Sequence, residues 1–170
     1  MFNIIEPKVF LISRRCTALA TRIKIKIAYN TEIRKEIDEL YRLMDKVALA
    51  KWALSIAKHI LETVDIDYKS IDEIVDGFRV NELWQIKKAT IHEVRQAGFK
   101  IHKIARESDN EITKTALRVV GQAVSSGHMR EHAMVASDYA VKVIGLVNSI
   151  SIEAISIERK WQILELRKFL

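Results

Sequence analysis

Apolar side chains return every three or four residues over most of this chain, the period of a helix that buries one face. From Thr31 onward Ile33, Ile37, Leu40 and Met44 keep that spacing, and Leu49, Ala50, Ala53, Leu54, Ala57, Ile60 and Leu61 carry it to about Thr63. The pattern predicts one long helix with a break near Asp45. Asp65-Ile66-Asp67-Tyr68 reads as a turn, and Ser70 with Glu73 has capping-box spacing for a short helix that Gly77 ends. Asn81 caps the next helix in this reading, which continues through Leu83, Trp84, Ile91, Val94 and Ile101 to about Arg106. Ser108 with Glu111 opens another, and Ser149 or Ser151 opens the last, where Ile155, Trp161, Leu164 and Leu166 point at least partly inward.

Between these lies the stretch with least freedom, Ala116 to Val147. Ile112, Ala116, Val119, Val120, Ala123 and Val124 form one helical stripe, and Ala133, Ala136, Ala140, Val143, Ile144 and Val147 form a second. Both stripes are small, and small residues let helix axes approach to the short end of the roughly 8–10 Å packing range. Ser125-Ser126-Gly127-His128 separates them, with Gly127 as the expected left-handed residue that ends the first helix. A tight helical hairpin is predicted, with His128 and His132 at or just after its corner.

Residues 1–30 follow another rule. Val9-Phe10-Leu11-Ile12 is a short apolar run, and Arg22-Ile23-Lys24-Ile25-Lys26-Ile27 alternates with the period of a strand. A small hairpin, a presequence, a loosely attached arm and an extension from an upstream start codon all fit. The fold expected is therefore a single-domain, all-α bundle of five to seven helices over residues 31–170, preceded by a basic, non-helical arm over residues 1–30.

Composition agrees with helices, since 170 residues contain one proline and five glycines. A single cysteine, Cys16, cannot close an intramolecular disulfide and fits a reducing cytoplasm. No apolar run approaches the roughly 20 residues of a membrane span. The net charge of +6 is unevenly placed: residues 1–30 hold six basic side chains against one acidic, and the remaining 140 hold 22 against 21. Counterion release needs clustered cations, so nucleic acid is not an expected partner of the folded domain.

His128-Met129-Arg130-Glu131-His132 matches H-x-x-E-H, in which two histidines on one helix hold zinc and the glutamate acts as base. A zinc-dependent hydrolase using His128 and His132 is thus one reading, with Glu153, Glu158 and Glu165 as default third ligands. It requires a helix continuous through both histidines, and Gly127 places the helix start close by. No histidine has a glutamate three residues before it, which excludes a di-iron bundle of Glu-x-x-His pairs. His102 and Arg106 are one helical turn apart, as are His128 and His132 if helical, so the four are expected to converge. They form either an internal hydrogen-bond network or a ligand or partner site. His59 and His92 have no evident companion, and Trp52, Trp84 and Trp161 read as core.

Several of these residues carry a resemblance. Gly121-Gln122-Ala123-Val124, Gly127-His128-Met129, His132-Ala133, Ala136, Tyr139-Ala140 and Lys142 resemble the five-like group of immunity proteins of bacterial polymorphic toxin systems. Lys51-Trp52-Ala53 fits the same group, as do Phe99, His102, Ala105, Arg106 and Glu107, and Glu158-Arg159 with Trp161-Gln162. The likeness spans about residues 45–166. It implies a cytoplasmic, non-catalytic protein without cofactor whose partner is a cognate protein toxin.

Overall fold

The computed structural model describes residues 22–170, so the apolar run at 9–12 and Cys16 lie outside the described residues. Seven α-helices make up the described chain: α1 Thr31–Leu43, α2 Lys46–Thr63, α3 Asp72–Gln85, α4 Ile91–Glu107, α5 Glu111–Ser125, α6 Glu131–Val147 and α7 Ile152–Arg167. A single 3-10 turn, Tyr68–Ser70, joins α2 to α3, and no strand occurs among the described residues.

The break near Asp45 is real and has a cause. Met44 is extended and ends α1, and the Asp45 carboxylate accepts from the Ala48 amide, satisfying one of the orphan donors at the start of α2. Ser151 caps α7 as expected, but other expected caps are displaced. Asn110, not Ser108, caps α5, and α3 starts after Ile71 with no side-chain cap. Thr90 with Glu93 forms the capping box that opens α4. Gly77 and Asn81 do not punctuate the chain, because both lie inside α3. A Cβ on Gly77 would meet Ile101 and Val124, so glycine there allows close helix contact, while buried Asn81 donates to the Val124 carbonyl at 2.8 Å.

Helix α5 is the centre of the bundle and packs against α2, α3, α4 and α6. Its contact face is made of Ala116, Val119, Val120, Gly121, Ala123 and Val124, all buried, against Ala133, Ala136 and Ala140 of α6. The hairpin corner differs from expectation in one respect: among the described glycines none has positive φ. A Cβ at Gly127 would lie 3.0 Å from both Trp84 and Val94, so the corner needs glycine for space and not for handedness.

Trp52 is wholly buried and donates its indole N–H to the Gln162 carbonyl at 2.9 Å, pinning α2 to α7. Trp84 and Trp161 are half-buried and pack against the edge of the core. Residues 22–28 are irregular, with a bend at Ile25; Ile23, Ile25 and Ile27 are half-buried and Arg22, Lys24 and Lys26 exposed. The strand-like alternation is thus kept in burial but not as a strand, and Lys26, Ile27 and Ala28 share a cleft with Val141, Gly145 and Leu146 of α6.

Candidate functional site

Three of the four residues singled out in the sequence meet where α4, α5 and α6 come together. His102 of α4 lies against the backbone of α5, so close that a Cβ on Gly121 would sit 2.6 Å from its Cε1. Burial pushes its pKa down to about 4, and the positive charges of Arg118, His132 and Arg106 push the same way. His132, in the first turn of α6, has its Nδ1 2.6 Å from Gln122 Oε1. An amide oxygen only accepts, so the proton is assigned to Nδ1. Burial, then His128 and Lys24, also lowers the pKa of His132.

His128 stands in the corner itself. Its ring centroid is 6.1 Å from that of His132, and its Nδ1 is buried without a hydrogen-bond partner among the described residues. Arg106 is exposed at the rim and bonds to neither histidine. Of the four, His132 bonds to Gln122, and burial keeps His102 neutral near pH 7. Arg118 was missed by the sequence reading, although it stands one turn before Gln122 on the same face.

The helix that H-x-x-E-H requires is interrupted. Residues 126–130 are turn and coil, and α6 begins only at Glu131, so His128 and His132 do not share a helix. Arg130, inside the motif, donates to the carbonyls of Tyr41 and Met44 at 2.8 and 3.2 Å and lies over the Tyr41 ring, tying the α1–α2 corner to the hairpin corner. Lys46 does the same from the other side, reaching the His128 carbonyl at 3.0 Å. Among the described residues no three His, Cys, Asp or Glu side chains are placed to hold a metal.

Two of the default third ligands belong elsewhere. A cleft of about 630 Å³ opens over α2 between the end of α3 and α7. His59, Ser55 and Glu165 line it, and Glu165 accepts from Ser55 at 2.7 Å, while Glu158, buried behind the lining, accepts from His59 Nε2 at 3.0 Å and from Gln162 Nε2 at 2.7 Å. The His59 ring stacks on Trp161 with centroids 3.9 Å apart. The hydrogen bond to Glu158 raises the pKa of His59 despite its partial burial. This companion to His59 was not seen in the sequence, since the two are 99 positions apart.

Behind the cleft the polar contacts continue through the interior. Gln162 Oε1 accepts from Ser137 Oγ at 2.6 Å and Arg159 Nη1 at 3.0 Å, and Arg159 Nη2 donates to Asp138 at 2.6 Å. Asp138 also accepts from Arg34 Nε at 3.2 Å, and Arg34 pairs with Asp38 at 2.8 Å. All of these side chains are buried. Many of the resemblance-bearing residues fall in two places, around the hairpin corner and along this path from His59 inward, while Lys142 pairs with Glu111 at the other end of the hairpin.

Comparison with curated proteins and comparison with solved structures each give no match. A family model described as "Imm-5 like putative immunity protein" matches residues 39–169, from the middle of α1 to beyond the end of α7. With more than half of its length inside that match, the chain belongs to this immunity-protein family.

Proposed function

We propose that the protein neutralises a cognate toxin by binding it, in the cytoplasm and without catalysis of its own. Family membership over residues 39–169 is the observation that carries this reading. Residues 31–170 form the binding unit, and residues 1–30 are an accessory arm. His102, Arg106, His128 and His132 are the partner contacts proposed at the hairpin corner, where α4, α5 and α6 present half-buried polar groups on a frame held by Arg130 and Lys46.

The test is co-expression with candidate toxins taken from the genes that neighbour its own. The expected result is a complex that survives gel filtration and restores growth to cells making the toxin. Failure of both overturns the reading. A zinc hydrolase remains distinguishable by metal content. One zinc per chain, lost in the His128→Ala, His132→Ala double variant together with a drop in melting temperature, would replace a binding role by a metal-dependent one.

A further inference from the structure

Gly145 differs from the glycines that bring helices together. A Cβ at Gly77 or Gly121 would sit 2.6 Å from a neighbouring side chain, whereas at Gly145 the nearest atom is Ile155 Cδ1 at 3.7 Å. Glycine inside a helix costs stability against alanine, and here no packing contact demands it. What the missing side chain leaves is space. Gly145 and Ile155 line a cleft of about 430 Å³ together with Ile27, Val141, Leu146 and Ile150.

The end of α6 keeps that cleft open. Ile150 donates its backbone N–H to the Gly145 carbonyl at 2.7 Å, with Ser149 and Ile150 both at positive φ, 50° and 61°. A β-branched residue rarely takes that conformation. Helix closures of this kind usually press an apolar side chain back onto the last turn, near the residue that accepts the bond. Gly145 has no side chain to meet, and Ile150 stays 66% exposed beside Leu146, Val147 and Ile152, which are exposed as well.

We propose that this corner between α6 and α7 is a docking site for an acidic amphipathic segment of another protein, which fills the cleft over Gly145 with an apolar side chain and sets its carboxylates against Arg22, Lys24 and Lys26. Charge selects the occupant. Lys26 and Lys142 line the cleft, and no acidic side chain among the described residues does. Lys142 is held by Glu111 at 3.0 Å, but residues 22–28 carry three bases and no acid. The chain's own residues 1–21 hold Lys8, Arg14 and Arg15 against Glu6, which makes them a like-charged and poorer occupant. A concave cleft also suits a side chain better than the surface of a membrane. The site lies about 20 Å along α6 from His132, so it goes beyond the contacts proposed at the hairpin corner and stands or fails apart from them.

The probe is a fluorescein-labelled peptide, Glu-Glu-Leu-Phe-Glu-Asp-Leu-Leu-Asp-Glu, titrated onto the full chain by anisotropy, with backbone amide shifts followed by NMR. Saturable binding is expected, with the largest shifts at Gly145, Leu146 and Ile150, and none for a counterpart carrying Lys at every acidic position. Gly145→Leu fills the cleft, and Lys24→Glu with Lys26→Glu reverses the strip; each should weaken binding at least about tenfold. Ile150→Asn guards against misfolding, because asparagine takes positive φ more readily than isoleucine. Its melting temperature should hold or rise while its affinity falls. Absence of peptide binding, equal binding of the Lys counterpart, or binding untouched by all three variants overturns the proposal. Tighter binding of a peptide of residues 1–21, sedimentation with phosphatidylserine vesicles in place of peptide binding, or a dimer that Gly145→Leu disrupts would give the corner a different occupant and overturn it too. Growth rescue against a toxin is read separately and moves none of these outcomes.

Discussion

Trp161 lies flat on the His59 ring, 3.9 Å between centroids, while the same imidazole holds the buried carboxylate of Glu158 at 3.0 Å. The two contacts act together. Stacking shields the ring face from water, and the carboxylate supplies the charge that makes the imidazolium stable there. His102, across the bundle, shows the reverse arrangement, an imidazole among cations with no acid beside it.

The two histidines therefore give opposite pH dependences. The folded pKa of His59 lies above its ordinary 6.5, so its contribution to stability is complete below about 6.5 and disappears as pH rises through the raised value. The folded pKa of His102 is about 4, so its contribution is complete above 6.5 and is lost as pH falls toward 4, because the unfolded chain takes up the proton first. Denaturant unfolding as a function of pH should show Glu158→Gln flattening the basic side of the profile and His102→Gln flattening the acidic side. Unchanged slopes in both variants would contradict these assignments.

Breaking the interior ion pairs should cost far more than breaking exposed ones. Asp138 holds both Arg34 and Arg159, and its removal leaves two buried guanidinium groups without their shared carboxylate. Asp138→Ala is expected to destabilise by about 3–5 kcal/mol. Glu36→Ala, which breaks the half-exposed pair with Arg167, should cost less than about 1 kcal/mol. Urea unfolding of the two variants measures the contrast, and equal effects would show that the interior pairs are not strongly coupled.

Gly121→Ala places a methyl group against the His102 ring. Alanine gains about 1 kcal/mol of helix propensity over glycine, and overpacking a tight core costs about 1–3 kcal/mol. A net loss of up to about 2 kcal/mol is expected. The same substitution in a His102→Ala background should be neutral or stabilising, because the clash is gone. A double-mutant cycle reads the difference.

A chain starting at Tyr29 should still unfold in one cooperative transition, since it keeps Asn30, whose side chain caps α1. It loses the partial burial of Ile23, Ile25 and Ile27, worth about 2–3 kcal/mol in all as an upper figure. Any salt-sensitive binding to nucleic acid should go with the removed residues, which carry nearly all the net charge. Calorimetry of the shortened chain tests the first expectation, and a broad transition would overturn it.

Helical periodicity made the bundle legible because burial repeats along each helix. The hairpin of small residues, the break at Asp45 and the Ser151 cap could all be read from neighbouring positions. Gly77 and Asn81 misled for the same reason: both resemble punctuation locally, yet each answers a demand from another helix, space for Ile101 and a donor for Val124. The hairpin-corner histidines were visible as a cluster, but their true companions Gln122 and Arg118 were not. The His59–Glu158 pair and the Arg34–Asp138 pair join residues 99 and 104 positions apart, and no local pattern marks such partners.

That separation bears on synthesis. Helix α1 leaves the ribosome first among the described helices, carrying Arg34 and Asp38, and both remain hydrated until Asp138 in α6 and Arg159 in α7 have followed. Asp38 on the same helix is one partner of Arg34, but burying the pair before Asp138 exists is costly, and the main packing partner of α1 is α7, the last helix made, so α1 gains little by docking on a partial chain. The nascent protein should assemble around α5 and close last at α1, with the earliest helix made becoming the final one seated.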